Sequence, residues 1–242
     1  WHHFGKAYIF LAALATPLVL SVHSVVSWDF AMAIVPGWHA TIFAPYFVAG
    51  AIFSGVGMVI TLTVPMRKFF GLEAYLTTKH YDAMAKLCLL TSMIVLYAYM
   101  SEFFMAWYSG EEVERTAFWN RLFGDYWWAT WTMLVCNGLV PIMLWFKRVR
   151  HSIPALFVIS IFINIGMWFE RFVIVVTSLH HEYEPFAWGI YRPSTTEMMI
   201  MVGSFAWFGF WFLLFTRLLP PIAIQELKEV LPPPMRKQKE AH

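Results

Sequence analysis

Six runs of about 20 apolar residues constrain the fold of this chain more than any other feature of its sequence. The runs cover residues 6–28, 41–65, 84–107, 126–146, 153–178 and 197–219. A hydrocarbon layer of ~30 Å needs about 20 residues of helix to cross it. The runs are continuous rather than alternating, and backbone groups in lipid must be satisfied within their own segment. Each run therefore predicts a membrane-spanning helix, and the chain is expected to be an all-α membrane protein.

The composition supports a membrane protein and excludes several other classes. Only 13% of the 242 residues are charged, against roughly 25% in soluble domains. The formal net charge of +2 is too small to indicate a nucleic-acid partner. Cys88 and Cys136 both lie inside apolar runs, where small packing residues are expected. The cysteine pattern predicts neither covalent haem nor an iron–sulfur cluster in this chain, and we expect no metal site.

Lysine and arginine are distributed unevenly between the two sides of the predicted bundle. Of the 17 basic residues, 13 lie on one side, at position 6 and in the segments 66–86, 147–150 and 217–239. The positive-inside rule makes this side, with both chain termini, cytoplasmic. The opposite loops, 108–125 and 179–195, are mainly acidic. We expect a transmembrane domain over residues 1–219 and a cytoplasmic, proline-rich basic tail over residues 220–242.

Few titratable side chains lie within the predicted spans. Each is a candidate for function, because a charge at the centre of a spanning helix costs about 2.5–3.5 kcal/mol. The candidates all lie in the outer third or at the outer edge of their spans: His23, Asp29, Glu102, Glu170, Arg171 and Glu197. This one-sided distribution favours a pocket at the outer face over a proton channel through the membrane.

Glu170 and Arg171 are adjacent in the sequence, so their side chains point about 100° apart on a helix. We expect each to face a different partner on a neighbouring helix rather than to neutralise the other. Two interpretations stay open for them. They form ion pairs that hold the bundle together, or Arg171 acts on a nearby carboxylate or on a bound carbonyl oxygen.

His23 and Asp29 are six residues apart, or about 240° around a helix. They share a face only if the helix breaks near residues 27–28. The segment that follows is short and apolar and contains Pro-Gly, which predicts an interfacial or re-entrant piece that returns Asp29 to the bundle. Asp29 is either a proton acceptor or an N-cap of that piece. His23 is either an acid–base group or an interhelical hydrogen-bonding residue.

Two stretches resemble a known family. "SVHSVVSWDFAMAIVPGWHATIFAPYFVAGAIFSG" and "NIGMWFERFVIVVTSLHHEYEPFAW" resemble the NrfD and PsrC family of integral membrane quinol-binding subunits, and within it the large membrane subunit of bacterial alternative complex III. The resemblance covers the whole chain. It implies about ten helices in two four-helix bundles with flanking spans. This chain would then supply the last helix of the first bundle, the whole second bundle and a terminal helix.

The resemblance also implies a function for the chain as part of a multisubunit quinol oxidoreductase. Such subunits oxidise menaquinol near the periplasmic face of the bacterial inner membrane and pass electrons to an iron–sulfur subunit. Cytochrome c subunits, a homologous membrane subunit and lipids are the other expected partners. The cofactor expectation is quinol or menaquinol as substrate. Because the first bundle is missing here, we expect the quinol pocket to be incomplete within this chain.

The same resemblance suggests roles for individual residues. Asp29 matches the acid of the quinol site, and Arg171 matches an arginine of the same region. His23 and His39 are further candidates near the quinol head group. Proton-transfer roles are expected for two acids, Glu102 and Glu170.

Two functions of other classes remain open from the residues alone. A proton-translocating or transporter-like module would need charged groups near the membrane midplane, and the inner halves of the spans lack them. A structural membrane anchor would use the polar residues only to fasten helices together.

Overall fold

The computed structural model describes residues 2–38, 40–181, 183–184, 186, 188–220, 222–224 and 227. Helices are the only regular secondary structure in this part of the chain. Six of them are long and apolar enough to cross a membrane: His3–Ala31, Phe43–Phe69, Thr78–Tyr108, Trp127–Trp145, Ile153–His180 and Thr195–Leu218. The prediction of six spans is confirmed. Most of the predicted tail, residues 220–242, lies outside the described residues, and so does His39.

The helices follow one another closely along the chain. In order they are α1 (His2–Ala31), α2 (Phe43–Phe69), α3 (Thr78–Tyr108), α4 (Glu112–Phe123), α5 (Trp127–Leu134), the π-helical segment π1 (Val135–Leu139), α6 (Val140–Ile142), a 3₁₀ turn (Met143–Trp145), α7 (Lys147–Arg150), α8 (Ile153–Phe172), the π-helical segment π2 (Val173–Thr177), α9 (Ser178–His180) and α10 (Thr195–Leu218).

Two compact units make up the chain. The larger unit is Thr16–Tyr191, and the smaller unit is Trp1–Ala15 with Arg192–His242. In the larger unit, four spans built on α2, α3, α5 and α8 supply the buried apolar core. This is the four-helix bundle that the family resemblance implies. In the smaller unit, α10 has no buried residue.

The end of α1 differs from its prediction. The helix runs without a break to Ala31, so His23 and Asp29 do not share a face and Asp29 is not an N-cap. The expected interfacial piece is a loop of turns and bends over residues 32–38. This loop packs on the bundle, because the Trp38 indole Nε1 donates a hydrogen bond of 2.7 Å to the Ile174 carbonyl in π2.

One of the predicted outer loops contains a helix. Residues 108–125 were expected as a loop because they are short and rich in charge, but they include the 12-residue helix α4. Its Ala117, Phe118 and Arg121 are buried, at spacings that place them on one face of a helix. Glu112 and Glu114 in the first turn complement the positive end of the helix dipole.

The π-helical segment π1 places a polar side chain in the core. Pro141 has no N–H, and its ring crowds the carbonyl four residues earlier, that of Asn137. The turn widens, and the Val140 N–H donates to the Val135 carbonyl instead. Asn137 is fully buried as a result. Gly166 of α8 permits this packing, since a Cβ there would lie 2.6 Å from the Cβ of Cys136 and would overlap the Asn137 amide.

Candidate functional site

A cavity of about 680 Å³ lies between α3, α4 and the loop that precedes α2. We call it the α4 cavity. Its wall combines apolar and aromatic side chains, such as Tyr97 and Phe104, with three acids: Glu102, Glu111 and Glu114. Cavities that bind small molecules and cofactors measure roughly 300–1,000 Å³ and carry a few polar groups in a largely apolar lining. The α4 cavity has the size and lining of a binding site for an organic ligand.

Glu102 is the acid that a membrane-spanning helix, α3, contributes to this cavity. Its Oε1 atom is buried and has no hydrogen-bond partner among the described residues. The charge of Arg121 acts on Glu102, as does that of Glu170. A carboxyl group with an unsatisfied buried oxygen is costly to keep within a membrane protein. Its place in the cavity wall points to a role in binding or proton transfer.

Arg121 connects α4 to the loop over residues 32–38. Its Nη2 atom donates to the Gly37 carbonyl at 3.1 Å and to the Ser178 hydroxyl at 2.7 Å. The Gly37 N–H in turn donates to Glu114 Oε1 at 3.1 Å. Burial lowers the pKa of Arg121 from its ordinary value, while the charges of Glu102 and Glu114 act in the opposite direction. Side chains of α4 therefore form hydrogen bonds with both the N–H and the carbonyl group of Gly37.

Replacing Gly37 by alanine is expected to destabilise this wall of the cavity. Gly37 has a φ of +81°, and an added Cβ would lie 2.6 Å from Arg121 Nη2. Alanine in this backbone conformation lowers the free energy of unfolding by about 1–2 kcal/mol, and the clash with Arg121 lowers it further. Thermal unfolding of the purified protein in detergent measures the loss.

Gly110→Ala is the matched control for this substitution. Gly110 also has a positive φ, of +72°, but nothing lies within 4 Å of a Cβ added there. It therefore reports the conformational cost without the clash. A Gly37→Ala variant with no greater loss of melting temperature than Gly110→Ala would contradict the role of Gly37 in seating Arg121.

A buried polar cluster lies in the bundle and is centred on Glu170. The Tyr99 hydroxyl donates to Glu170 Oε2, and the Asn137 amide donates to the Tyr99 hydroxyl at 3.0 Å and to Glu170 Oε2 at 3.4 Å. The Tyr46 ring packs edge-on against Tyr99 with centroids 5.7 Å apart. None of these four side chains is more than 2% exposed. We call these four residues the Glu170 cluster.

Arg171 also reaches this cluster. Its Nη1 atom lies 3.4 Å from Glu170 Oε1, and its guanidinium group lies 4.7 Å above the ring centroid of Phe47. The expectation that Glu170 and Arg171 do not pair with each other is therefore wrong. The expectation that each faces a partner on a neighbouring helix is confirmed, because Glu170 binds Tyr99 of α3 and Arg171 lies over Phe47 of α2. The long arginine side chain bends back to its neighbour, although the two Cα–Cβ bonds point in different directions.

The predicted site residues fall into three groups. Glu102 lines the α4 cavity, and Glu170 and Arg171 lie in or beside the Glu170 cluster. Asp29 is exposed near the end of α1. His23 Nδ1 donates to the Val19 carbonyl of its own helix at 2.8 Å. Neither of these two residues lines the α4 cavity.

Glu197 and the paired histidines have local structural contacts. Glu197 forms a capping box with Ser194 at the start of α10. His180 Nε2 lies 3.3 Å from Asp125 Oδ2, and its ring contacts that of His181. Burial and the neighbouring His180 lower the pKa of His181. Within the described part of the chain, no three His, Cys, Asp or Glu side chains are grouped to hold a metal ion.

Four polar residues of this region were missed from the sequence: Tyr46, Tyr99, Arg121 and Asn137. Charge within a span does not point to them, because the tyrosines and Asn137 carry no charge at neutral pH and Arg121 lies in a predicted loop. An amide inside an apolar run just before a proline, as in "CNGLVP", is a signal that could have found Asn137.

Comparison with known proteins adds a family to this geometry. Residues 1–181 match the family model described as polysulphide reductase, NrfD. A curated protein of Halobacterium salinarum, whose name describes a membrane component of a dimethyl sulfoxide reductase, is 28% identical over 221 residues. The match covers 79% of this chain and 48% of that protein. The chain therefore spans about half the length of this relative.

Proposed function

This chain belongs to the polysulphide reductase NrfD family, and from that premise we propose that it is a quinol-binding membrane subunit of a respiratory oxidoreductase. Quinol, with menaquinol as the expected form, binds in the α4 cavity and is oxidised there. The two electrons pass to an iron–sulfur subunit, and the two protons pass to acids of the site. The name of the Halobacterium relative, a membrane component of a reductase, supports a place in such a complex.

The observation that carries this proposal is the position of Glu102 in the wall of the α4 cavity. A quinol releases its hydroxyl protons when it is oxidised, so its site needs a group that accepts them. A carboxylate within hydrogen-bond reach of a hydroxyl serves as a general base. Glu102 lies in the wall of the cavity and can serve as such a base. The guanidinium of Arg121 supplies the compensating positive charge.

The aromatic wall suits the quinone ring. Tyr97, Phe104 and Phe118 line the same cavity, and flat aromatic side chains pack well against a flat conjugated ring. The cavity also has space for more than the ring alone, since its volume is about 680 Å³. An isoprenoid chain that leaves the cavity would pass into lipid.

The orientation of the site follows from the positive-inside rule. The basic segments 66–86 and 147–150 connect α2 to α3 and α6 to α8, at the end of these spans opposite to the connection that contains α4. By the positive-inside rule, the α4 side faces the periplasm of the bacterial inner membrane and both termini are cytoplasmic in this proposal. An iron–sulfur subunit and cytochrome c subunits bind at that outer side. A homologous membrane subunit or further helices complete the site.

Asp29 is proposed as a second acid of the site, on the strength of the family resemblance. It lies at the exposed end of α1, one turn before the loop whose Gly37 lines the cavity. We expect Asp29→Asn to lower quinol oxidation by the whole complex about tenfold or more, with normal assembly. The readout is quinol-dependent reduction of the electron acceptor by purified complex. Turnover at the wild-type rate would remove Asp29 from the mechanism.

Binding of a quinone analogue to the complex separates this function from its rivals. Saturable binding that protects the α4 cavity from chemical labelling supports a quinol site. A structural anchor predicts no binding and full tolerance of substitutions at Asp29, Glu102 and Glu170. A transporter-like module predicts proton uptake into liposomes without any redox partner.

A further inference from the structure

A second, much smaller cavity lies inside the bundle beside the α4 cavity. It has a volume of about 20 Å³. Glu102 lines both cavities. The small cavity is also lined by Tyr46 and Tyr99 of the Glu170 cluster, and by Arg121 and Thr130. It therefore lies between the acid of the α4 cavity and the buried tyrosines.

Two residues that line this small cavity, Glu102 and Thr130, each carry a polar side-chain atom without a hydrogen bond within the described part of the chain. The atoms are Glu102 Oε1 and the Thr130 hydroxyl oxygen, and both are inaccessible to solvent. Thr130 as a whole is 0% exposed. Buried polar atoms without partners are rare in folded proteins, and one ligand in the cavity that both residues line would satisfy the two atoms together.

A water molecule fits this cavity both in size and in chemistry. A buried water needs roughly 10–15 Å³ of accessible volume and two to four polar partners. The cavity offers about 20 Å³. The carboxylate of Glu102 accepts a hydrogen bond, the Thr130 hydroxyl donates or accepts one, and the Tyr99 hydroxyl oxygen accepts one.

We propose that one water molecule binds between Glu102, Thr130 and Tyr99 and connects the α4 cavity to Glu170 by hydrogen bonds. The water site follows from the cavity and its unpartnered atoms. Its use in proton transfer rests on the proposed quinol function.

The connection completes a relay with a balanced proton transfer. Glu102 takes a proton from the quinol hydroxyl and passes it to the water. The water gives one of its own protons to the Tyr99 oxygen, and Tyr99 gives its hydroxyl proton to Glu170 Oε2, to which it already donates. The net change is one proton moved from Glu102 to Glu170, and Glu102 is again free to accept the second quinol proton.

Thr130→Val tests the water site, because valine keeps the shape of threonine and removes its hydroxyl. Thr132→Val is the matched control on the same helix, since the Thr132 hydroxyl donates to the Trp128 carbonyl and not to this cavity. A map of the purified complex at a resolution that shows ordered water is expected to contain a peak within hydrogen-bond distance of Glu102 and Thr130. The peak is expected to be lost in Thr130→Val and kept in Thr132→Val.

Kinetics of the same variants test the relay. Thr130→Val is expected to slow quinol oxidation by roughly tenfold. This is a part of the rate enhancement of 10²–10⁴-fold that a positioned proton acceptor typically contributes. It is also expected to increase the solvent deuterium isotope effect, which a purely structural change would leave alone. Absence of the peak in the wild-type map overturns the water site. A peak with unchanged turnover and isotope effect in Thr130→Val overturns the relay. A complex that oxidises no quinol refutes the proposed function, whereas the map still decides the water site.

Discussion

Glu102→Gln is expected to lower quinol oxidation by the intact complex at least about 100-fold. Glutamine has nearly the shape of glutamate, but its amide cannot take a proton from a quinol hydroxyl at neutral pH. Glu102 is the acid that α3 contributes to the α4 cavity, and loss of a positioned general base costs typically 10²–10⁴ in rate. Binding of a quinone analogue should change much less than turnover, because the cavity keeps its shape. Steady-state quinol oxidation by purified complex measures the effect.

Glu112→Gln is the control for the charge itself. Glu112 lies on α4, at the same side of the bundle, but it is exposed and does not line the cavity. Its substitution removes one negative charge from the same side and is expected to leave turnover within about twofold of wild type. Equal rates for Glu102→Gln and wild type would exclude Glu102 as the proton acceptor.

Glu170→Leu is expected to prevent normal accumulation of the complex in membranes. Leucine leaves the Tyr99 hydroxyl and the Asn137 amide without their acceptor, and it removes the counter-charge of Arg171. Leaving a buried hydrogen-bond donor without its acceptor costs about 1–3 kcal/mol for each group. The loss of the pair with Arg171 adds little, because that side chain is 43% exposed. The readouts are the amount of complex in membranes and its melting temperature in detergent.

Glu170→Gln separates the two interpretations of this residue. The glutamine oxygen still accepts hydrogen bonds from Tyr99 and Asn137, so the bundle should assemble to near wild-type levels. It cannot carry a proton, so a relay through Glu170 predicts slow turnover in the assembled variant. Fast turnover would favour a structural role alone.

Glu73→Leu is the control for Glu170→Leu, because it also removes an acid but at an exposed position between α2 and α3. A Glu170→Leu complex as abundant as wild type would show that the cluster does not hold the bundle together.

The spans were predictable because hydrocarbon thickness constrains helix length directly. The six apolar runs predict the six spans to within a few residues at most ends. The short helix α4 was not predictable in this way, since its 12 residues carry little apolar signal. Tertiary contacts stabilise α4, because Arg121 donates hydrogen bonds to the Gly37 carbonyl and to the Ser178 hydroxyl, which lie 84 and 57 residues away in the chain.

The candidate site was partly predictable for a related reason. Charged groups within spans are expensive, so counting them identifies Glu102 and Glu170 from the sequence. The number and positions of charged residues in the sequence do not show which side chains come into contact in the folded bundle. Glu102 and Tyr99 are one turn apart on α3, and they meet Tyr46 in the small cavity because α2 and α3 pack together there. The exposed position of Asp29 depends on α1 continuing to Ala31, which the Pro-Gly signal at residues 36–37 did not reveal.

The central claim is that quinol occupies the α4 cavity beside Glu102. A map of the intact complex with a tight-binding quinone analogue tests it most directly. We predict density for the analogue within the cavity formed by α3, α4 and the Gly37 loop, with a polar atom of its ring in hydrogen-bond reach of Glu102. Clear density at another position, with the α4 cavity free of analogue, would contradict the claim.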